Sequence, residues 1–219
     1  MDRIADAFAW PVRDPNWVTK LLVIALILLI PIIGTINGLG WLLTALDRLR
    51  AGDEKLPPAN LGYLGRGLPL FVVVLVYGLG IGLIAGLVYL PAVLIFVHEG
   101  QGNANAAAVS GGVLLSLLSF SVATLGTLAL NFVMPSIVLA TDRGGIGGGL
   151  RLVQVLRNAR ASFSASLIAG LMLIAASFIG SVGIVVCGIG VLFTTAYSLA
   201  MQAWIIHCFE QGSSAARAA

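Results

Sequence analysis

Few side chains in this sequence combine the type and the spacing that chemistry requires. His98 stands beside Glu99, with His207 far along the chain; a closed zinc site takes four ligands, and the His98-Glu99 pair supplies two. Cys187 and Cys208 are twenty-one residues apart. On one helix that is about 31 Å at 1.5 Å per residue, whereas a disulfide needs Cα atoms closer than about 7 Å. Both cysteines read as small buried hydrophobes. No His-Glu-x-x-His, Gly-x-Ser-x-Gly or paired-carboxylate pattern occurs, and no serine or cysteine has a base in local reach. The expectation is a protein that is not an enzyme and holds neither metal nor cofactor.

The chemistry that the residues do offer belongs to a membrane surface. In "LRLVQVLRNAR", helical spacing puts Arg151, Gln154, Arg157 and Asn158 toward one side and Leu152, Val155, Leu156 and Ala159 toward the other. Arginine can extend its apolar stem and set the guanidinium on phosphates, so Arg151, Arg157 and Arg160 are the candidate contacts to lipid headgroups. The preceding "RGGIGGGL" is rich in glycine, but it follows a membrane helix, whereas a phosphate cradle lies between a strand and a helix start. It reads as an interfacial turn.

Two further groups of residues concern shape. Pro31 removes a helix hydrogen bond, and Gly34, Asn37, Gly38 and Gly40 after it are poor helix formers. A break follows between Ile33 and Gly40, with Pro31 and Asn37 as the candidate hinge or ligand position. Gly78, Gly82 and Gly86 stand four apart, leaving one helix face as bare backbone for close helix packing, within the chain or to a second copy.

The elements that must position these residues follow from composition. Of 219 residues 59% are hydrophobic and 10% charged, against about 25% charged in a soluble domain. The predicted fold class is an all-α integral membrane protein: a single transmembrane domain over 1–219, about four full spans, a broken N-terminal hydrophobic helix and amphipathic interfacial helices. Residues 1–16 form the interfacial N-terminal helix, with Trp10 and Trp17 at headgroup depth and Asp14 as a helix cap. Residues 17–50 form the broken element. Spans follow at 68–97, 109–140, 162–182 and 189–209, joined by cytoplasmic loops at 51–67 and 141–161.

Basic residues orient the chain, because Lys and Arg favour the cytoplasmic side. They flank the first block and fill the loop around Arg143 to Arg160, while His98–Gly112 and Gly180–Gly190 carry none. If the first block enters and returns, all twelve Lys and Arg lie inside; a kinked single crossing would strand three of them outside. The expected place is the cell membrane, with basic loops and C-terminus cytoplasmic. The net charge of +3 is spread as topology signals and not as a run, so membrane lipids, and not nucleic acid, are the expected partner. A weak repeat is also visible: Asp47-Arg48 and Asp142-Arg143 each open a basic loop that reaches an arginine before a span.

"NWVTKLLVIALILLIPIIGTINGLGWLLTALDRLRAGDEKLPP" runs through an apolar helix, Ile-Pro, Gly-Trp, Arg and Gly-x-Glu-x-Leu-Pro. In that order it resembles a family of prokaryotic polytopic membrane proteins of unknown function, with Trp41 where a tyrosine-type aromatic is expected. "CGIGVLFTTAYSLAMQAWIIHCFEQG" is similar in style. The chain also looks distantly like the membrane domains of some glycerophosphodiester phosphodiesterases. The resemblance brings no catalytic residues. With no carboxylate, Lys or Arg inside the spans, coupled transport is disfavoured. The expected role is a noncatalytic scaffold or accessory subunit with a membrane-protein partner or as a homo-oligomer; the alternative is a small uncoupled permease or lipid-handling protein.

Overall fold

The computed structural model describes residues 3–100, 102, 105–183 and 190–218. Every regular element among them is helical: two short 3-10 turns, Ile4–Phe8 and Trp10–Arg13, then α1 (Trp17–Leu28), α2 (Ile33–Arg50), α3 (Leu64–Glu99), α4 (Ala106–Gly149), α5 (Leu152–Ala161), α6 (Phe163–Val182) and α7 (Gly190–Ala218). Helices α3, α4, α6 and α7 are long and apolar enough to cross a membrane, and the fold is that of an all-α multi-pass membrane protein. Both cytoplasmic loops expected from charge are shorter as irregular structure: α3 starts at Leu64 inside the first, and α4 runs to Gly149 while α5 fills most of the rest of the second. The last span's expected start at residue 189, and Cys187, lie outside the described residues.

The chain divides into two compact units, Met1–Val73 with Asn131–Ala219, and Val74–Leu130. In the first, α1 and α2 pack on each other and on α7, and α6 packs along α7. The break between α1 and α2 is a tight reversal. Ile33 N donates to Pro31 O at 2.7 Å across Ile32, whose backbone sits at φ 64°, ψ −60°, the rare and strained form of γ-turn. Glycine lets the returning helix approach: a Cβ on Gly38 would lie 3.3 Å from the Leu28 side chain.

The reversal carries the chain back to where it entered. Lys20, early in α1, and Arg48, late in α2, both donate to the Leu56 carbonyl, at 2.7 and 2.9 Å. Twenty-eight residues of continuous helix would hold their Cα atoms about 42 Å apart. The first hydrophobic element is therefore a broken hairpin that returns to its entry side.

Asp14 ties this closure together. Its side chain, 2% exposed, takes Lys20 Nζ at 2.7 Å, the Leu56 amide at 2.9 Å and the Asn16 amide at 2.8 Å. Burial alone would raise its pKa, but these donors and the Lys20 charge outweigh it, and the carboxyl titrates below its ordinary range. It caps a turn before α1 and not the helix itself, whose N-cap is Asn16.

The N-terminal segment departs from expectation. In place of one interfacial helix there are two 3-10 turns that meet at Ala9, the second with Pro11 in its first turn. Trp10 is fully buried, stacked 5.6 Å from Trp204 and bonded through its indole N–H to Glu54 O at 2.7 Å. It belongs to the core and not to a headgroup belt. Trp204 in turn donates to Arg3 O at 2.8 Å, and Tyr197 to Phe8 O at 2.5 Å. These long-range bonds tie the segment to α7 and to the loop after α2.

The second unit is an antiparallel helix pair. Ser119 of α4 donates to Ala85 O of α3 at 2.8 Å, and Gly126 and Gly112 abut Ile81 and Phe96 respectively. Its best apolar windows are 11% and 6% buried, against 33% in α6 and 56% in α7. Packing within the pair leaves most of its apolar surface uncovered.

Candidate functional site

Helix ends in the first unit build a charge cluster. Arg50, closing α2, makes a fork to Glu210 of α7 at 2.7 and 3.1 Å and reaches Asp142 of α4 at 2.7 Å and Asp47 at 3.0 Å. Arg66, at the start of α3, pairs with Asp47 and, at 3.2 Å, with Asp142. Arg143 pairs with Glu210 at 2.5 Å. Three arginines thus meet three carboxylates, and the cluster is neutral. The aspartates of the two Asp-Arg pairs that open the sequence repeat come together here, with Asp47 and Asp142 sharing Arg50 and Arg66.

A cavity of about 610 Å³ opens beside this cluster. Helix α4 supplies Ser136 and Arg143, α7 supplies Ser213 and Ser214, and Arg151, Gln154 and Asn158 come from α5 and its N-terminal flank. The glycine-rich turn shapes it. Gly145 sits at φ 60°, ψ −155°, a region open only to glycine, and the chain beyond it doubles back so closely that a methyl on Gly148 would strike the Ala140 carbonyl. That reversal sets Arg151 on the same cavity as Arg143.

One wall is chemically incomplete. Ser136 is 5% exposed, and its hydroxyl has no hydrogen-bond partner among the described residues. Buried hydroxyls are normally satisfied, so this one is a spare donor enclosed in the wall beside the cavity, able to reach it by a turn about its Cα–Cβ bond. Arg151 makes no ion pair among the described residues, and its positive charge is uncompensated locally.

Of the residues expected to meet headgroups, Arg151 lies on the cavity, Arg157 stands beside it on the open polar side of α5, and Arg160 borders a separate recess with Ser162 and Gly212. Helix α5 shows three faces: Val155 and Ala159 buried on the protein, Leu152, Val153 and Leu156 exposed, and a polar edge. The expected two-sided reading placed Val155 and Leu156 together, and the structure separates them.

Asn37 is fully buried, and its amide is engaged at both ends: Nδ2 donates to Asn60 O at 2.9 Å, and Oδ1 accepts the Tyr63 amide at 3.2 Å. It clasps the loop after α2. Pro31 lies exposed in the reversal. The expectation for Gly78, Gly82 and Gly86 left both a partner within the chain and a second copy open; a Cβ on any of them would meet nothing within 4 Å among the described residues. Among the glycines that do pack tightly are Gly40 and Gly67, where a Cβ on Gly40 would lie 2.9 Å from Gly67 N and one on Gly67 2.7 Å from Gly40 N.

Sequence reading missed Arg143, Ser136 and the serines of α7 as a site. The local signal was "RGGIGGGL", whose turn was recognised but not the convergence that it produces. Residues 23–205 match the family described as "Protein of unknown function (DUF4013)". No curated protein and no solved structure matches the chain.

Proposed function

Given that the chain belongs to this family of unknown function, we propose that it acts as a noncatalytic membrane scaffold or accessory subunit. It would sit in the cell membrane with its basic loops and C-terminus cytoplasmic. The observation that supports this reading is the uncovered glycine face of α3. Gly78, Gly82 and Gly86 leave open backbone, while Leu79 and Leu83 rise beside them at 62% and 66% exposure. In lipid there is little hydrophobic gain in bringing helices together, so association relies on close backbone approach at such small-residue faces. A helix that met only lipid would gain nothing from three glycines in register and would lose helix propensity at each.

Extraction of the tagged protein from its own membrane into polymer nanodiscs, followed by mass spectrometry, tests the reading. A membrane protein partner or second copy in stoichiometric amount is expected, released when Gly82→Leu fills the face. A chain that comes out alone overturns it.

A further inference from the structure

We propose that the cavity among α4, α5 and α7 binds one phosphate anion, carried by a lipid headgroup or free in solution. The charge balance points to an anion of low valence. The Arg50, Arg66 and Arg143 charges are met by Asp47, Asp142 and Glu210, so Arg151 contributes the net positive charge at the cavity. One unit matches a phosphodiester, which carries one negative charge, or a singly ionised phosphate.

The donor set fits the same chemistry. Arg151 and Arg143 offer guanidinium forks suited to phosphate oxygens, Gln154 and Asn158 can donate amide hydrogens, and the unpartnered Ser136 hydroxyl would find its acceptor. At about 610 Å³ the cavity falls in the range of small-molecule sites. The exposed Leu152 and Val153, at 53% and 72%, lie on α5 beside the cavity and would carry acyl chains if the phosphate belongs to a lipid. This site stands independently of the docking role of α3, because it draws on none of the same residues.

The test uses the full chain in phosphatidylcholine nanodiscs containing a minor fraction of phosphatidylglycerol, with retained lipid counted by native mass spectrometry. One phosphatidylglycerol per chain is expected, lowered at least tenfold by Arg151→Gln and several-fold by Ser136→Ala. Arg157→Gln removes the same charge from the same helix off the cavity and should change retention less than twofold. In a second arm inorganic phosphate is titrated by calorimetry into nanodiscs of phosphatidylcholine alone. Saturable binding abolished by Arg151→Gln, without retained phosphatidylglycerol, assigns the site to free phosphate. If Arg151→Gln loses helical circular dichroism, Arg151→Lys replaces it and should weaken binding at least threefold, since an ammonium lacks the fork. Equal losses from Arg157→Gln and Arg151→Gln, or no preference for phosphatidylglycerol together with no phosphate binding, overturn the proposal.

Discussion

Gly40 and Gly67 bring α2 and α3 into backbone contact, with no room for a methyl group between them, whereas Gly78, Gly82 and Gly86 on the same α3 face nothing within 4 Å. The first pair belongs to a unit closed by its own contacts; the second set lies in a unit whose apolar windows are 11% and 6% buried. The contrast separates two uses of one residue type. In the first unit glycine is a steric requirement of the fold, and in the second it is spare approach distance that the chain itself does not consume.

Substitution breaks or sharpens that contrast most strongly at Gly67. Gly67→Val should cost roughly 3 kcal/mol or more, the upper range of overpacking, seen as a large drop in thermal unfolding temperature in nanodiscs. A neutral outcome would mean that α2 and α3 are not in backbone contact. Next comes Asp14→Ala, expected to cost about 3 kcal/mol, since it strands Lys20 and the Leu56 amide without their buried acceptor. The same residue predicts a pH dependence. Its native pKa lies below the value of 3.8 for a free side chain, so its contribution is whole above that pH and is lost as pH falls through the lower native value. Wild type should therefore lose stability in acid below about pH 4, and Asp14→Ala should flatten that limb.

Asn37→Ala should cost about 1–3 kcal/mol, because the Tyr63 amide and Asn60 carbonyl lose their buried partner; hydrogen exchange at residues 60–63 would report the loosened loop. At the small end stands Gly82→Ala, expected to change stability of the isolated chain by less than about 1 kcal/mol, and toward greater stability through helix propensity. A loss of several kcal/mol there would show that the glycine face is occupied in the isolated protein, and the contrast would disappear.

How far these features were legible depends on how local their causes are. The hairpin's return followed from Pro31, the glycines after it and the placement of basic residues, all readable along the chain. The N-terminal segment did not follow, because Ile4 and Phe8 have helical spacing while the conformation is set by Trp10 meeting Trp204 and by Tyr197 reaching the Phe8 carbonyl. No local periodicity encodes a partner nearly two hundred residues away. The glycine stripe was plain, but a stripe says nothing of what covers it. For the cavity, Arg151 was identified from its neighbours along the chain, while Arg143 and Ser136 on α4 and Ser213 on α7 meet it only in the fold, after the reversal at Gly145.

The shared acceptor at Leu56 also bears on the order of assembly. Synthesis proceeds from the N-terminus, so α1 and α2 are complete before the carbonyl that Lys20 and Arg48 both require has been made. The Trp204 and Glu210 contacts that hold the N-terminal segment and Arg50 arrive only with the last helix. The hairpin must wait in the membrane half-fastened, first for the loop and then for the final helix. A ribosome-stalled chain ending before α7 should expose Arg50, which lacks its Glu210 partner there, to modification that the finished protein resists.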